Sequence, residues 1–160
     1  MALTYTTYVA QIANLLVMDP TNDDFTTMLP GMIDYAEQRL YRELDLESTR
    51  VYDSSATVTA NSRDFTLPTT LGRFVVTEGI NIYTPAGSTT TRNPLTPVSY
   101  DVLNWTWQTD TADAATTVPA WFAMKTDQTV AFGPPPGAAF TAEVFGTIRP
   151  TPLSAANPTT

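Results

Sequence analysis

The hydrophobic period of this chain changes once, just after Glu47, and that change fixes the class of fold it can adopt. Before it, Val9, Ile12, Ala13 and Leu16 recur at i, i+3, i+4 and i+7, which places them on one stripe of a helix. Thr4, Thr6 and Thr7 are the available caps for its start, and Asp19-Pro20 marks its end. Asn22, Asp23 and Asp24 signal a second helix, since carboxylates favour the positive helix end. Pro30 reads as a break or restart within it, because proline suits a first turn and disrupts an interior. Leu29, Ile33, Ala36, Leu40 and Leu44 form a second apolar stripe running to about Asp45. Gln38/Arg42 and Arg39/Glu43 sit i, i+4 apart on its other face. Residues 1–48 are therefore expected to form a helical hairpin.

After Glu47 the apolar residues alternate. Residues 49–60 and 63–67 are rich in Thr and Val, with Asn61-Ser62 as a turn between them. Arg73–Thr84 reads as a strand with Val75, Ile80 and Ile82 apolar, and Gly79 interrupts the alternation as a bulge does. A turn at 85–88 leads into a polar stretch, and Ser99 or Thr96 can cap a short helix near 99–107. The segment 110–117 reads as a flexible surface loop. Strands at 120–125, 129–132 and 140–148 follow, with the stiff connector Gly133-Pro-Pro-Pro-Gly137 before the last. Residues 150–160 have no period and read as a flexible tail. The expected fold class is α+β: a helical hairpin or small bundle packed with an antiparallel sheet or sandwich spanning residues 49–149.

Composition narrows function more than fold. The chain has 160 residues and neither His nor Cys, so it offers no imidazole base, no Ser-His or Cys-His nucleophile, no zinc or haem ligand set and no disulfide. Any metal would be held by carboxylates, carbonyls and water. Sixteen acids against eight bases give a net charge of −8, and one Lys with seven Arg supply too little positive charge for a nucleic-acid reader. The 30 threonines and 13 prolines suit strands, turns and sheet edges. No apolar run approaches the roughly 18 residues of a membrane span, and the start carries no basic signal-peptide region.

No motif selects a chemistry. Asp19-x-x-Asn22-Asp23-Asp24 lacks the glycine of a calcium loop and has Pro30 where the bidentate Glu belongs, so these acids read as helix caps. Glu78 or Glu143 with Asp53, Asp64 or Asp101, near Trp105, Trp107 and Trp121, are the residues from which a glycosidase pair would be drawn, but no spacing selects two of them. Tyr100, Trp105, Trp107 and Trp121 read either as core or as anchors of a protein interface. Asn104-Trp105-Thr106 matches a glycosylation acceptor with no secretion signal to support it. Catalytic, cofactor and metal residues are expected to be absent.

Several segments, in order, resemble one family. They are Tyr5-Thr-Thr-Tyr-Val-Ala-Gln-Ile-Ala-Asn-Leu-Leu, Asn22-Asp-Asp-Phe, and Leu29-Pro-Gly-Met-Ile-Asp-Tyr-Ala-Glu-Gln-Arg-Leu-Tyr-Arg-Glu-Leu44. Phe65-Thr-Leu-Pro68, Pro94-Leu-Thr-Pro-Val-Ser-Tyr, Pro119-Ala-Trp-Phe-Ala and Val130-Ala-Phe-Gly-Pro-Pro-Pro follow. Together these resemble the bacteriophage head-to-tail adaptor, or connector, proteins over nearly the whole chain. The resemblance implies a virion structural protein made in the host cytoplasm and located in the neck. There a ring, generally of twelve copies, joins the portal protein to a tail or nozzle protein while DNA passes through without specific binding. Members usually continue past a segment like Leu153-Ser-Ala-Ala-Asn-Pro into C-terminal helices, so this chain reads as a shorter variant or a piece of a longer one. The second face of its hairpin then needs the sheet, a further helix or a neighbouring subunit to cover it.

Residues 1–50 hold eight acids and three bases. An acidic wall repels phosphate over a Debye length of about 8–10 Å, so Asp23, Asp24, Asp34 and Glu37 are the candidates for facing a DNA channel. The same acids also serve simply to keep the helices soluble. Other readings of the chain are a tail or head-decoration structural protein, or a carbohydrate-binding or glycoside-hydrolase-like domain.

Overall fold

The computed structural model describes residues 4–44 and 46–157. The expected end of the second helix at Asp45, the readings made of the first three residues, and the last three residues of the tail lie outside them. The fold is α+β, with N-terminal helices followed by two sheets. It divides into two compact units, one of residues 1–47 with 150–160 and the other of Ser48–Arg149.

In the helical unit, α1 (Tyr5–Leu16) begins at Thr4, whose hydroxyl accepts the Thr7 N–H while the Thr7 hydroxyl accepts the Thr4 N–H. This reciprocal cap satisfies two of the four donors that a helix start leaves open. The helix stops three residues before Asp19-Pro20, because Val17 turns into the left-handed region with φ 54°. α2 (Asp23–Glu43) is capped by Asn22, whose side chain accepts the Phe25 N–H at 3.1 Å.

The expected break at Pro30 does not occur: α2 runs through it for 21 residues. Burial of Phe25 and Leu29 before the proline and of Ile33 after it holds both halves to one core with Ala13 of α1. That packing offsets the lost backbone bond. Because Pro30 itself is exposed, Pro30→Ala is expected to stabilise the unit by about 1–3 kcal/mol, read as an upward shift of its thermal transition. A neutral or negative shift would mean the helix is already kinked to accommodate the ring.

Of the first expected stripe, Val9, Ile12 and Ala13 enter the core and Leu16 does not. Of the second, Leu29 and Ile33 are buried while Ala36, Leu40 and Leu44 are exposed. Length explains this. Twelve residues of α1 span about 18 Å and 21 of α2 about 31 Å, so the last turns of α2 outrun their partner. Residues 151–157 have no helix or strand, but Leu153 packs on the helical core and its N–H donates to Glu37 at 3.2 Å.

The second unit is a sandwich of two four-stranded sheets. Strands β1 (Arg50–Thr57), β8 (Thr141–Arg149), β3 (Arg73–Thr84) and β4 (Thr91–Pro94) make one sheet in that order. Strands β2 (Asp64–Thr66), β7 (Thr129–Gly133), β6 (Trp121–Met124) and β5 (Thr96–Pro97) make the other. Every pairing is antiparallel except the two-residue β5–β6 contact. That one is parallel because the chain crosses over through α3 (Tyr100–Thr106) before returning as β6. The residues around Asn61-Ser62 do turn, with Asn61 left-handed at φ 56°, but β1 and β2 do not pair; the chain there changes sheets. Period-two alternation then sorts the faces: Phe74, Ile80, Ile82, Ala142, Val144 and Ile148 of one sheet meet Phe65, Phe122, Val130 and Phe132 of the other.

The bulge expected at Gly79 is present as a register shift between Thr77 and Gly79. A Cβ there would lie 2.4 Å from the Phe145 ring, which covers the glycine and stacks on Tyr52 at 5.4 Å.

Candidate interaction surfaces

The four acids singled out along α2 do not form one group. Positions 23, 34 and 37 are about three and four helical turns apart and share a side, whereas Asp24 lies about 100° further round. Asp23 and Asp24 are exposed in the first turn, where the helix dipole favours them. Asp34 accepts the Gln38 amide at 2.6 Å, and Glu37 accepts the Leu153 N–H, so both half-buried acids also hold the chain together. Gln38 thus bonds one turn back to Asp34, while Arg39 and Glu43 pair as expected at 2.8 Å.

A different stripe of α2 was not visible as such in the sequence. Asp24, Met28, Met32, Tyr35, Arg39 and Arg42 follow one another at spacings of four, four, three, four and three, and all are exposed. The stripe is acidic at its start, apolar in the middle and basic at its end. Tyr35, Arg39 and Arg42 there line a concavity of about 190 Å³ with Gln38 and Glu43. Arg42 forms no ion pair among the described residues.

In the sandwich, α3 is capped by Ser99, which accepts the Val102 N–H, and Leu103 is its buried residue. The outer face of the second sheet offers it small residues: Ala123 and Ala131 pack with Leu103, and Gly133 lies under Trp107. A Cβ on Gly133 would lie 2.4 Å from the indole, so glycine there is a packing requirement. Trp107 and Trp121 meet at 4.6 Å between ring centroids. Trp105 turns away from them and is 79% exposed. Tyr100 and Trp121 are each just over a third exposed. The aromatics therefore divide into a packed pair and a projecting indole. Asp101, Asn104 and Gln108 surround Trp105 in an open concavity of about 390 Å³, and Arg63 donates to Asn104 at 3.3 Å from behind.

The carboxylates that could have made a glycosidase pair are occupied separately. Glu78 pairs with Arg50, Asp64 with Lys125, and Asp53 accepts the Ser55 N–H. Glu143 is buried on the outer face of the first sheet, where it accepts from Asn81 (2.8 Å), Tyr83 (2.8 Å) and Arg92 (2.9 Å). The Arg92 guanidinium is raised above its ordinary range by its bond to the Tyr83 hydroxyl and then by Glu143. Only Asp101 of these acids borders the concavity at Trp105. Asp19 folds back on Thr21, whose N–H and hydroxyl hold its carboxyl below the usual range. Among the described residues no three acids gather as a metal site would need, and no helix is long and apolar enough to cross a membrane.

No curated protein matches the chain. The sequence model of the SU10 adaptor protein family does, over residues 3–160, and the chain belongs to that family of phage adaptor proteins.

Proposed function

We propose that this protein assembles into a ring, of twelve copies, in the virion neck between the portal and the tail. Family membership supports an adaptor role with portal and tail partners. The observation that carries the ring is the exposed Met28–Met32–Tyr35 flank of α2; Leu40 and Leu44, on the core-facing stripe where α2 outruns α1, are exposed as well. Apolar surface this continuous on an acidic protein is buried in the working state, and in a ring a neighbouring copy buries it.

The acidic side of α2 lies about a third of a turn or more from that flank, which lets one helix serve two surfaces. In this arrangement the flank, with Asp24 on its stripe, meets the neighbour while Asp23, Asp34 and Glu37 face the lumen and keep DNA phosphates from adhering. The projecting indole of Trp105 is the anchor for the portal or tail partner, and the part-exposed Tyr100 and Trp121 are further candidates for that contact; Trp107 packs over Gly133. The role is structural, and none of the carboxylates described above is assigned a catalytic step.

Electron microscopy and sedimentation of the purified protein with portal protein test this reading. A closed twelve-fold ring seated on the portal is the expected result, and Trp105→Ala is expected to leave the ring intact while weakening portal or tail binding at least tenfold. A chain that stays monomeric and ignores the portal excludes the adaptor ring. Binding to capsid faces instead would identify a decoration protein.

A further inference from the structure

Val17 sits where helices ordinarily place glycine. It closes α1 with φ 54° and ψ 42°, its N–H directed to the carbonyls of Ala13 and Asn14. A β-branched side chain in the left-handed region is strained, and glycine or asparagine relieves that strain at no loss of capping. Backbone bonds from Val17 and Met18 back to Asn14 and Ala13 close the turn, but the valine side chain is not buried there: Val17 is 92% exposed and Leu15 83%, with Leu16 and Met18 also open. Four consecutive apolar residues thus project from the α1–α2 corner on a backbone that holds them outward.

The charge around this corner has one sign. Asp19, Asp23 and Asp24 flank it, all exposed, and no cation precedes Arg39 in the chain. At the far end of α2, Arg39 and Arg42 line the concavity with Tyr35, Gln38 and Glu43, and Glu43 pairs with Arg39 while Arg42 is in no ion pair among the described residues. Asp24 and Arg42 lie about 27 Å apart along the same helix, so corner and concavity cannot meet within one molecule. The acids of the corner match Arg42 in charge, and the concavity offers the corner the exposed Tyr35 ring, with Met32 one turn before it.

We infer that the α1–α2 corner, with Val17 and Leu15 as its knob, docks in the Tyr35–Arg39–Arg42 concavity of a second copy of this chain, Asp24 of one opposite Arg42 of the next. The contact is head-to-tail, so each copy uses both surfaces and the series closes into a ring if the rotation per copy permits it. This rests on the ring reading above and adds which surfaces build it. Strain at Val17 then has a purpose, since glycine would cap α1 better but offer the neighbour nothing to bury.

The test compares assembly with monomer stability in the full chain, by sedimentation velocity and thermal melting. Val17→Gly is expected to raise the melting temperature of the monomer and yet weaken self-association at least tenfold, a combination that a purely structural valine does not produce. Asp24→Arg and Arg42→Glu each weaken association at least tenfold, and the double variant recovers most of it. Rings that form unchanged in Val17→Gly and in both single charge reversals overturn the proposed contact while leaving the ring reading intact. Single reversals that fail without recovery in the double variant overturn the Asp24–Arg42 pairing. A wild-type chain that remains monomeric alone and with portal protein overturns both.

Discussion

Glu143→Ala is expected to cost the sandwich about 3–5 kcal/mol, one of its two largest single-residue losses. Glu143 is 5% exposed, and its two oxygens accept from three donors, two on the adjacent β3 and one on β4 beyond it. Truncation removes all three acceptor contacts at once. The Asn81 amide and the Tyr83 hydroxyl are themselves buried and would be left without their acceptor, at roughly 1–3 kcal/mol each. Arg92 is half exposed and can turn to water, so its share is small. Two comparisons isolate the cause. Glu143→Gln keeps one acceptor but presents an amide to at least one of the three donors, so it should lose about half as much. Arg92→Ala should lose less than about 1 kcal/mol. Equilibrium denaturation in urea measures all three, and a Glu143→Ala loss below that of Arg92→Ala would show that the pairing with Arg92, rather than burial, dominates.

The same cluster shows what the sequence could and could not reveal. Alternation within each strand puts Asn81 and Tyr83 of β3 on one face, and Glu143 of β8 on the face opposite Ala142 and Val144. Which strands are neighbours was not readable: β3 pairs with β8, more than sixty residues away, and nothing local encodes that. The strand Arg73–Thr84 has the bounds that its apolar residues and the following proline turn suggest, but Val75 is exposed and Phe74 takes the inward position beside Ile80 and Ile82. β4 was missed because Thr91–Pro94 is a polar edge strand ending in proline, for which alternation and propensity give no signal. α3 was legible because Ser99 and Thr96 each offer a capping hydroxyl before an apolar turn, a local device, and Ser99 is the one that caps it.

The interaction surfaces divide in the same way. The acids of α2 and the tryptophans stood out by residue type. Their roles depended on context that type does not carry: Glu37 also anchors Leu153, Trp107 lies over Gly133, and only Trp105 projects. The Met28–Met32–Tyr35 flank escaped notice because Pro30 interrupts the helix in sequence but not in space. Once α2 is continuous, residues before and after the proline fall into register. The left-handed Val17 has no sequence signature, because a strained conformation is by definition one that propensity argues against.

Phe132→Ala is the second large loss, again about 3–5 kcal/mol, and it also tests whether the two units fold separately. Phe132 is fully buried at the centre of the sandwich, with its ring 5.4 Å from that of Phe65 and its N–H donating to the Arg63 carbonyl at 2.8 Å. The backbone bond survives truncation, so the cost is the transfer of the ring and the cavity left between the sheets. Phe132→Leu refills most of that volume and should lose no more than about 1.5 kcal/mol. All three tryptophans lie between Ser48 and Arg149, so their fluorescence reports the sandwich alone, while α1 and α2 supply most of the far-ultraviolet helical signal. In Phe132→Ala the fluorescence transition should move to lower denaturant while the helical transition stays near its wild-type position. Both transitions moving together by the same amount would instead make the chain one cooperative body. In that case the surfaces of α2 would depend on the sandwich for their shape, and the Val17 corner could not be mutated without reference to it.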